Sequence, residues 1–298
     1  MKSRAFVSPF AAALLGAAVL GGTLTSVCAA ASRPDMLAST EWLAAHLNDS
    51  NVAVLHVAPN RKTYDEGHIP GARFVAQGDL AVTKDGIPNE LAPVEKLKAV
   101  LEAAGVSDNT RVIVYSDSSV LPATRAYFTL DYLGHANAAL LDGGLGKWTS
   151  EGRMLTKDAP SAAAGHLTPH VKPELVVQMD EVKKMAAKPA PSADALLLDV
   201  RSAADFTGEK GSHIPGAANL FWMDTQVSRD NQALKSEAEI RKMFEAAGVK
   251  PNSKVVTYCN SGMQASQSYF TLKYLGYDVR MYDGSMSEWN AKGAPTEK

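Results

Sequence analysis

The chain has almost no cysteine. Its 298 residues hold two, Cys28 and Cys259, and Cys28 falls in a segment that reads as a removable leader. The mature chain is therefore expected to keep one thiol, which excludes an internal disulfide framework. Cysteine and histidine form no cluster with metal-ligand spacing, so neither a metal nor any other cofactor is expected. A dominant charge is missing too: 30 basic residues face 32 acidic ones, with no Lys/Arg run. That excludes the basic surface of a nucleic-acid partner. A membrane anchor is also disfavoured. Lys2 and Arg4 precede an apolar stretch from Phe6 to Leu24, followed by the small residues Ala29, Ala30 and Ala31. This is the order of a secretory leader, and its core is short and broken by glycine. Val27 stands where a lipid-modified Cys28 would need a small residue. Residues 1–31 are expected to be cleaved, leaving an exported, periplasmic protein with no membrane span.

What remains is ordinary in composition, 46% hydrophobic, and long enough for two separate cores. The two halves repeat. Glu102–Val106 returns as Glu245–Val249, and His68–Ala72 returns as His213–Ala217. Tyr127–Leu130 returns as Tyr269–Leu272, each followed by Tyr-Leu-Gly. Asp142, Gly143 and Trp148 return as Asp283, Gly284 and Trp289. The period is too long for a solenoid, so each copy is a domain. The expected division is 36–155, a Pro/Ala-rich linker at 156–173, and 174–298.

Each copy predicts the same order of elements. A short helix (Thr40–Leu47; Asp180–Ala187) precedes an apolar run (Val52–Leu55; Ala195–Leu198) suited to a strand buried on both faces. A turn at Ile-Pro-Gly-Ala follows, then a helix closed by Gly105 or Gly248. A second apolar strand (Arg111–Tyr115; Lys254–Tyr258) leads to a helix closed by Gly134 or Gly276. Strands alternating with helices predict an α/β fold with a parallel sheet in each domain.

Sites in such sheets lie beyond the carboxyl ends of strands. Cys259 stands there, after Val255–Tyr258. It opens the loop Cys259, Asn260, Ser261, Gly262, Met263, Gln264, and a helix-like segment begins at Ala265. Backbone N–H groups and a helix N-terminus favour an anion at this point, so a thiolate is expected. Gly262 permits the curvature, and Asn260 and Ser261 offer side-chain donors. The first copy has Ser116 at the matching position, in a loop one residue longer. Where the second copy has Asp199 and Arg201, the first has His56 and Ala58. The first domain therefore reads as a non-catalytic scaffold. Its cationic candidates for one side of the cleft are Arg61, Lys62, His68 and Arg73, each more simply a surface charge.

These residues resemble the rhodanese (thiosulfate sulfurtransferase) superfamily, in its tandem, exported form. The resemblance rests on Asp199-Val200-Arg201, on His213–Ala217, on Cys259 with its loop, and on Asp283-Gly284 with Trp289. It implies a persulfide on Cys259, a small sulfur donor such as thiosulfate, and an acceptor that is cyanide, a small thiol or a protein thiol. It implies a supporting role for Asp199 and Arg201, against the simpler reading of a strand-end ion pair. His213 is expected to pack a turn, and Trp222 and Trp289 to belong to the cores. The loop lacks both the basic residues of thiosulfate-using relatives and the Gly-Ser-Gly of mercaptopyruvate-using ones. Asp205 precedes Phe206 where two-domain relatives tend to carry arginine. Slow turnover on thiosulfate is expected, and mercaptopyruvate transfer and a persulfide carrier stay open. A cysteine phosphatase needs an arginine six positions after the cysteine; Ala265 stands there.

Overall fold

The computed structural model describes residue 1 and residues 31–160, 163–187, 195–209 and 211–298. The expected leader lies almost wholly outside the described residues. The first domain opens with β1 (Leu37–Ala38), α1 (Thr40–His46), β2 (Val52–Ala58), α2 (Lys62–Glu66) and β3 (Arg73–Ala76). A hairpin of β4 (Ala81–Lys84) and β5 (Ile87–Leu91) follows. Then come α3 (Val94–Ala103), β6 (Arg111–Tyr115), α4 (Leu121–Tyr132), β7 (Ala138–Leu141) and α5 (Gly144–Ser150). The second domain runs α6 (Met179–Ala186), β8 (Ala195–Asp199), α7 (Ala203–Phe206), β9 (Ala218–Asn219) and α8 (Glu237–Ala246). It closes with β10 (Lys254–Tyr258), α9 (Met263–Tyr274), β11 (Asp278–Met281) and α10 (Ser285–Ala291).

The apolar runs form two sheets, ordered β1-β7-β6-β2-β3 and β11-β10-β8-β9. Every pairing in them is parallel. Covered by helices on both faces, their central strands leave no solvated side, which is why their sequence does not alternate. In the second sheet the chain leaves β8 toward β9 and returns to β10 on the other side. A crevice opens at such a reversal, beyond the strand ends, and Asp199 and Cys259 flank it. The halves share their registers: His56 lies opposite Tyr115 on β2 and β6, as Asp199 lies opposite Tyr258 on β8 and β10.

The domains join through α4 and α9, the matching helices of the repeat, and the contact is pseudo-two-fold. The Tyr127 ring meets Phe270 edge-on at 4.8 Å, and Phe128 meets Tyr269 in the same way at 4.8 Å. Thr124 and Ser266 hydroxyls hydrogen-bond at 2.9 Å. Asp131 pairs with Lys273, its own counterpart in the repeat, and takes a 2.5 Å bond from the Tyr269 hydroxyl. Each aromatic pair contributes about 0.5–1.5 kcal/mol beyond its buried area. One apolar core consequently runs from Val114 and Phe128 through to Tyr269 and Cys259. The linker is bound to the first domain: Leu167 is buried, and the His170 and Lys172 N–H groups donate to Leu133 and Tyr132 carbonyls. No described helix is long and apolar enough to cross a membrane.

Candidate active site

Thr257 and Tyr258 end β10 inside the core, and Cys259 follows at 1% exposure. The chain then turns sharply. Gly262 adopts φ 77°, a left-handed conformation, and caps α9, which begins at Met263. Met263 and Gln264 are thus first-turn helix residues, where a helix start at Ala265 was expected. The turn closes early because glycine accepts that φ without steric cost. A Cβ at Gly262 would lie 2.3 Å from Asp283 Oδ1.

The loop's carbonyls and amides are sorted. The Cys259 and Asn260 carbonyls accept from the Met286 and Ser287 N–H groups at 3.0 and 2.9 Å. These are first-turn donors of α10 that have no partner within their own helix. The Ser261, Gln264 and Ala265 N–H groups instead lie close enough to the sulfur to favour its charged form, and the Ser285 hydroxyl donates to the Tyr282 carbonyl at 2.9 Å. Ser285 was not singled out from sequence. It takes φ 51°, unusual for serine, at a cost of roughly 1–3 kcal/mol. Its Oγ accepts from the Cys259 and Gly262 N–H groups at 3.1 and 3.2 Å, tying both ends of the loop.

These donors were expected to make Cys259 a thiolate. The structure corrects this: burial pushes the thiol above its ordinary value, and hydrogen bonding recovers only part of the shift. Desolvation of a wholly enclosed sulfur outweighs hydrogen bonding to it. The resting group is a thiol in a pocket built for an anion.

Asp199 and Arg201 form a forked pair, with Nη2 at 2.6 Å and Nε at 3.0 and 3.1 Å from the carboxylate. Arg201 Nη1 reaches the loop at Asn260 Oδ1, 3.4 Å away. Arg201 therefore touches the cysteine loop, whereas Asp199 orients Arg201. His213 stacks on Phe206 at 3.9 Å and Trp289 is fully buried, both in the structural places expected.

The first domain reaches this site with other residues than its cationic candidates. Arg61, His68 and Arg73 line a cavity of about 480 Å³ walled only by residues 61–160, and Lys62 is exposed. Asn89 and Gln77 reach the loop itself, Gln77 Nε2 donating to Met263 Sδ at 3.6 Å, and Leu91 and Arg125 reach the Asp283 that lies against it. Asn89 Nδ2 donates to Ser261 Oγ at 3.0 Å. Fully buried Arg125 clasps Asp283, Nη1 to Oδ1 at 2.5 Å and Nη2 to Oδ2 at 2.9 Å. Its Nη2 also donates to the Asn89 carbonyl, and the Leu91 N–H donates to Asp283 at 3.1 Å. The signal for Arg125 was a lone arginine in the apolar run of α4, where the repeat has Gln267. Glu90 next to it is pushed up to about 7 by burial first, then by Asp283 and Glu288.

The comparisons with known proteins agree with this picture. The rhodanese-like domain family matches twice, at residues 39–151 and 178–292. The sulfur carrier protein TtuD of Thermus thermophilus is 34% identical over 285 residues, 90% of this chain and 98% of its own. A thiosulfate sulfurtransferase of Azotobacter vinelandii is 32% identical over 241 residues, 78% of this chain and 87% of its own. Among solved structures, an anaerobic ergothioneine biosynthesis enzyme from Chlorobium limicola superposes with TM-score 0.76 at 25% identity, covering 89% of this chain and 70% of that one. A persulfide form of EanB with ergothioneine gives 0.78 at 26% identity, covering 90% and 71%.

Proposed function

Because the chain belongs to the rhodanese-type sulfurtransferase family, we propose that Cys259 takes a sulfane sulfur from thiosulfate and passes it to a thiophilic acceptor, cyanide or a thiol. One observation carries this reading: three backbone N–H groups, those of Ser261, Gln264 and Ala265, gather around a single buried sulfur. Such a nest suits a sulfur that carries negative charge during the reaction more than it suits a resting thiol.

The chemistry runs in two displacements. Cys259 gives its proton to solvent and its thiolate attacks the outer sulfur of thiosulfate. A sulfur–sulfur bond forms at Cys259, the donor's own sulfur–sulfur bond breaks, and sulfite leaves with the electron pair. The acceptor then attacks the terminal sulfur of the persulfide, and Cys259 departs as the thiolate. No net oxidation occurs on the protein. The raised thiol supports slow loading from a dianion.

A second reading, a persulfide carrier that delivers to a partner protein's thiol, is favoured by the near-complete enclosure of Cys259 and by the likeness to a protein named as a sulfur carrier. Export to the periplasm is part of the proposal and rests on the leader-like residues 1–31.

Mass spectrometry of the Cys259 peptide after incubation with thiosulfate tests the common step. One added sulfur atom is expected in the native protein and none in Cys259→Ser; an unmodified native peptide rejects the reading. Steady-state assay with thiosulfate and cyanide then separates catalyst from carrier, since a carrier loads once and stalls.

A further inference from the structure

The chain contains a comparison within itself. Around Cys259, Arg125 clasps Asp283, Asp283 packs on Gly262, and the next residue but one, Ser285, holds the Cys259 and Gly262 N–H groups. The pseudo-two-fold axis carries Arg125 to Gln267, Asp283 to Asp142, Ser285 to Gly144 and Cys259 to Ser116. Some of the arrangement survives there: the Leu234 N–H donates to Asp142 as the Leu91 N–H donates to Asp283. The clasp does not survive. Gln267 turns to Thr225 and Thr271, and Asp142 pairs with Lys147 of the adjoining α5. Gly144 has no hydroxyl, and the buried Ser116 hydroxyl has no partner. An ion pair serving only to join the domains would suit both ends of a symmetric interface. This one exists only beside the cysteine.

We propose that Arg125 of the first domain is a positioning residue for sulfur transfer: by fixing Asp283 against Gly262 it holds the amides of the Cys259 loop on the sulfur. The proposal rests on Cys259 being the sulfur-bearing nucleophile. Arg125 does not touch the reacting atoms. It is fully buried, and its two further contacts, to the Asn89 carbonyl and through Asp283 to the Leu91 N–H, brace the strand that lies over Ser261. The route from Arg125 to the sulfur is short, and every link in it is a packed or hydrogen-bonded contact. The other charges around this loop are Asp199 with Arg201, Glu90 and Glu288, and none replaces the fork.

The test compares the full-length protein with Arg125→Lys and with the neutral pair Arg125→Gln/Asp283→Asn, which leaves no buried charge alone. Three quantities are read: the thermal midpoint, kcat and KM for thiosulfate-to-cyanide transfer, and the rate of Cys259 alkylation by iodoacetamide across pH. The neutral pair is expected to stay folded and lose about tenfold or more in kcat with KM little changed, the mark of an interaction needed in the transition state. Its alkylation profile is expected to shift to higher pH. Arg125→Lys keeps the charge without the fork and is expected to fall between. A folded neutral pair with native kcat and a superimposable alkylation profile overturns the proposal. Should the neutral pair not fold, Arg125→Lys decides, and native kcat in it is the overturning result. If the native protein moves no sulfur at all, the proposed function fails. The alkylation profiles of the variants still judge Arg125, because they require no transfer.

Discussion

Ser285 puts a serine where the backbone suits glycine, and the first domain shows what glycine does there. Ser285→Gly relieves strain of roughly 1–3 kcal/mol and gives up the three hydrogen bonds of the hydroxyl, about 1 kcal/mol each. Its thermal midpoint is therefore expected to move by only a few degrees, while sulfur transfer falls at least tenfold, about 1.4 kcal/mol in the barrier. Calorimetry and steady-state assay on one preparation check both halves of that expectation. Glu90 makes a prediction about pH. Its folded-state pKa stands at about 7 against an ordinary 4.5, through burial and then Asp283 and Glu288. The folded chain keeps a proton that the unfolded chain has released, so stability falls as pH rises from about 4.5 to about 7. Glu90→Gln is expected to be more stable than the native protein above pH 7, by the order of 2 kcal/mol after solvent screening. The two should converge below about pH 4.5, and urea titrations at both ends check it. Cys259 and its loop were legible as sequence because their residue types announce the chemistry. The direction of the thiol's shift was not, because desolvation depends on what covers the sulfur, and the covering residues come from distant segments.

The central strands and main helices followed from local pattern, though β2 runs on to Ala58, three residues past the expected Leu55, and the hairpin β4–β5 and the strands β3, β7 and β11 were not read. Apolar runs gave β2, β6, β8 and β10, and glycines gave the helix ends. The start of α9 was also displaced, set by the left-handed turn at Gly262 and not by helix propensity. The pairing of α4 with α9 was hidden for a different reason. Both helices carry Tyr-Phe-Thr-Leu, and a single-domain reading assigns those rings to each domain's own core. The two helices bury Tyr127, Phe128, Tyr269 and Phe270 against each other instead. Phe270→Ala is expected to cost about 3–5 kcal/mol and to loosen Tyr127, whose ring it meets edge-on. Urea unfolding followed by tryptophan fluorescence measures the loss.

For the whole molecule, the difference between a cysteine loop in one domain and a serine loop in the other was readable from Cys259 against Ser116, and the parallel α/β architecture from the order of runs. The first domain's contribution was not, since Arg125 and Asn89 meet the loop only after both domains fold and dock. A separately produced second domain, residues 174–298, leaves Tyr269 and Phe270 exposed and Asp283 without its guanidinium. It is expected to self-associate in size-exclusion chromatography and to lose transfer activity.

The mirrored helix contact has a consequence for how chains meet one another. Each half offers its sibling a face that any neighbouring copy also offers, so a chain whose halves separate under mild heating or denaturant finds an equivalent mate in another molecule. Closing two such chains on each other restores both contacts and both thiol pockets. Intertwined dimers with full reactivity per chain are thus the natural by-product of concentrated refolding, and they would return to monomers only as slowly as the helices part.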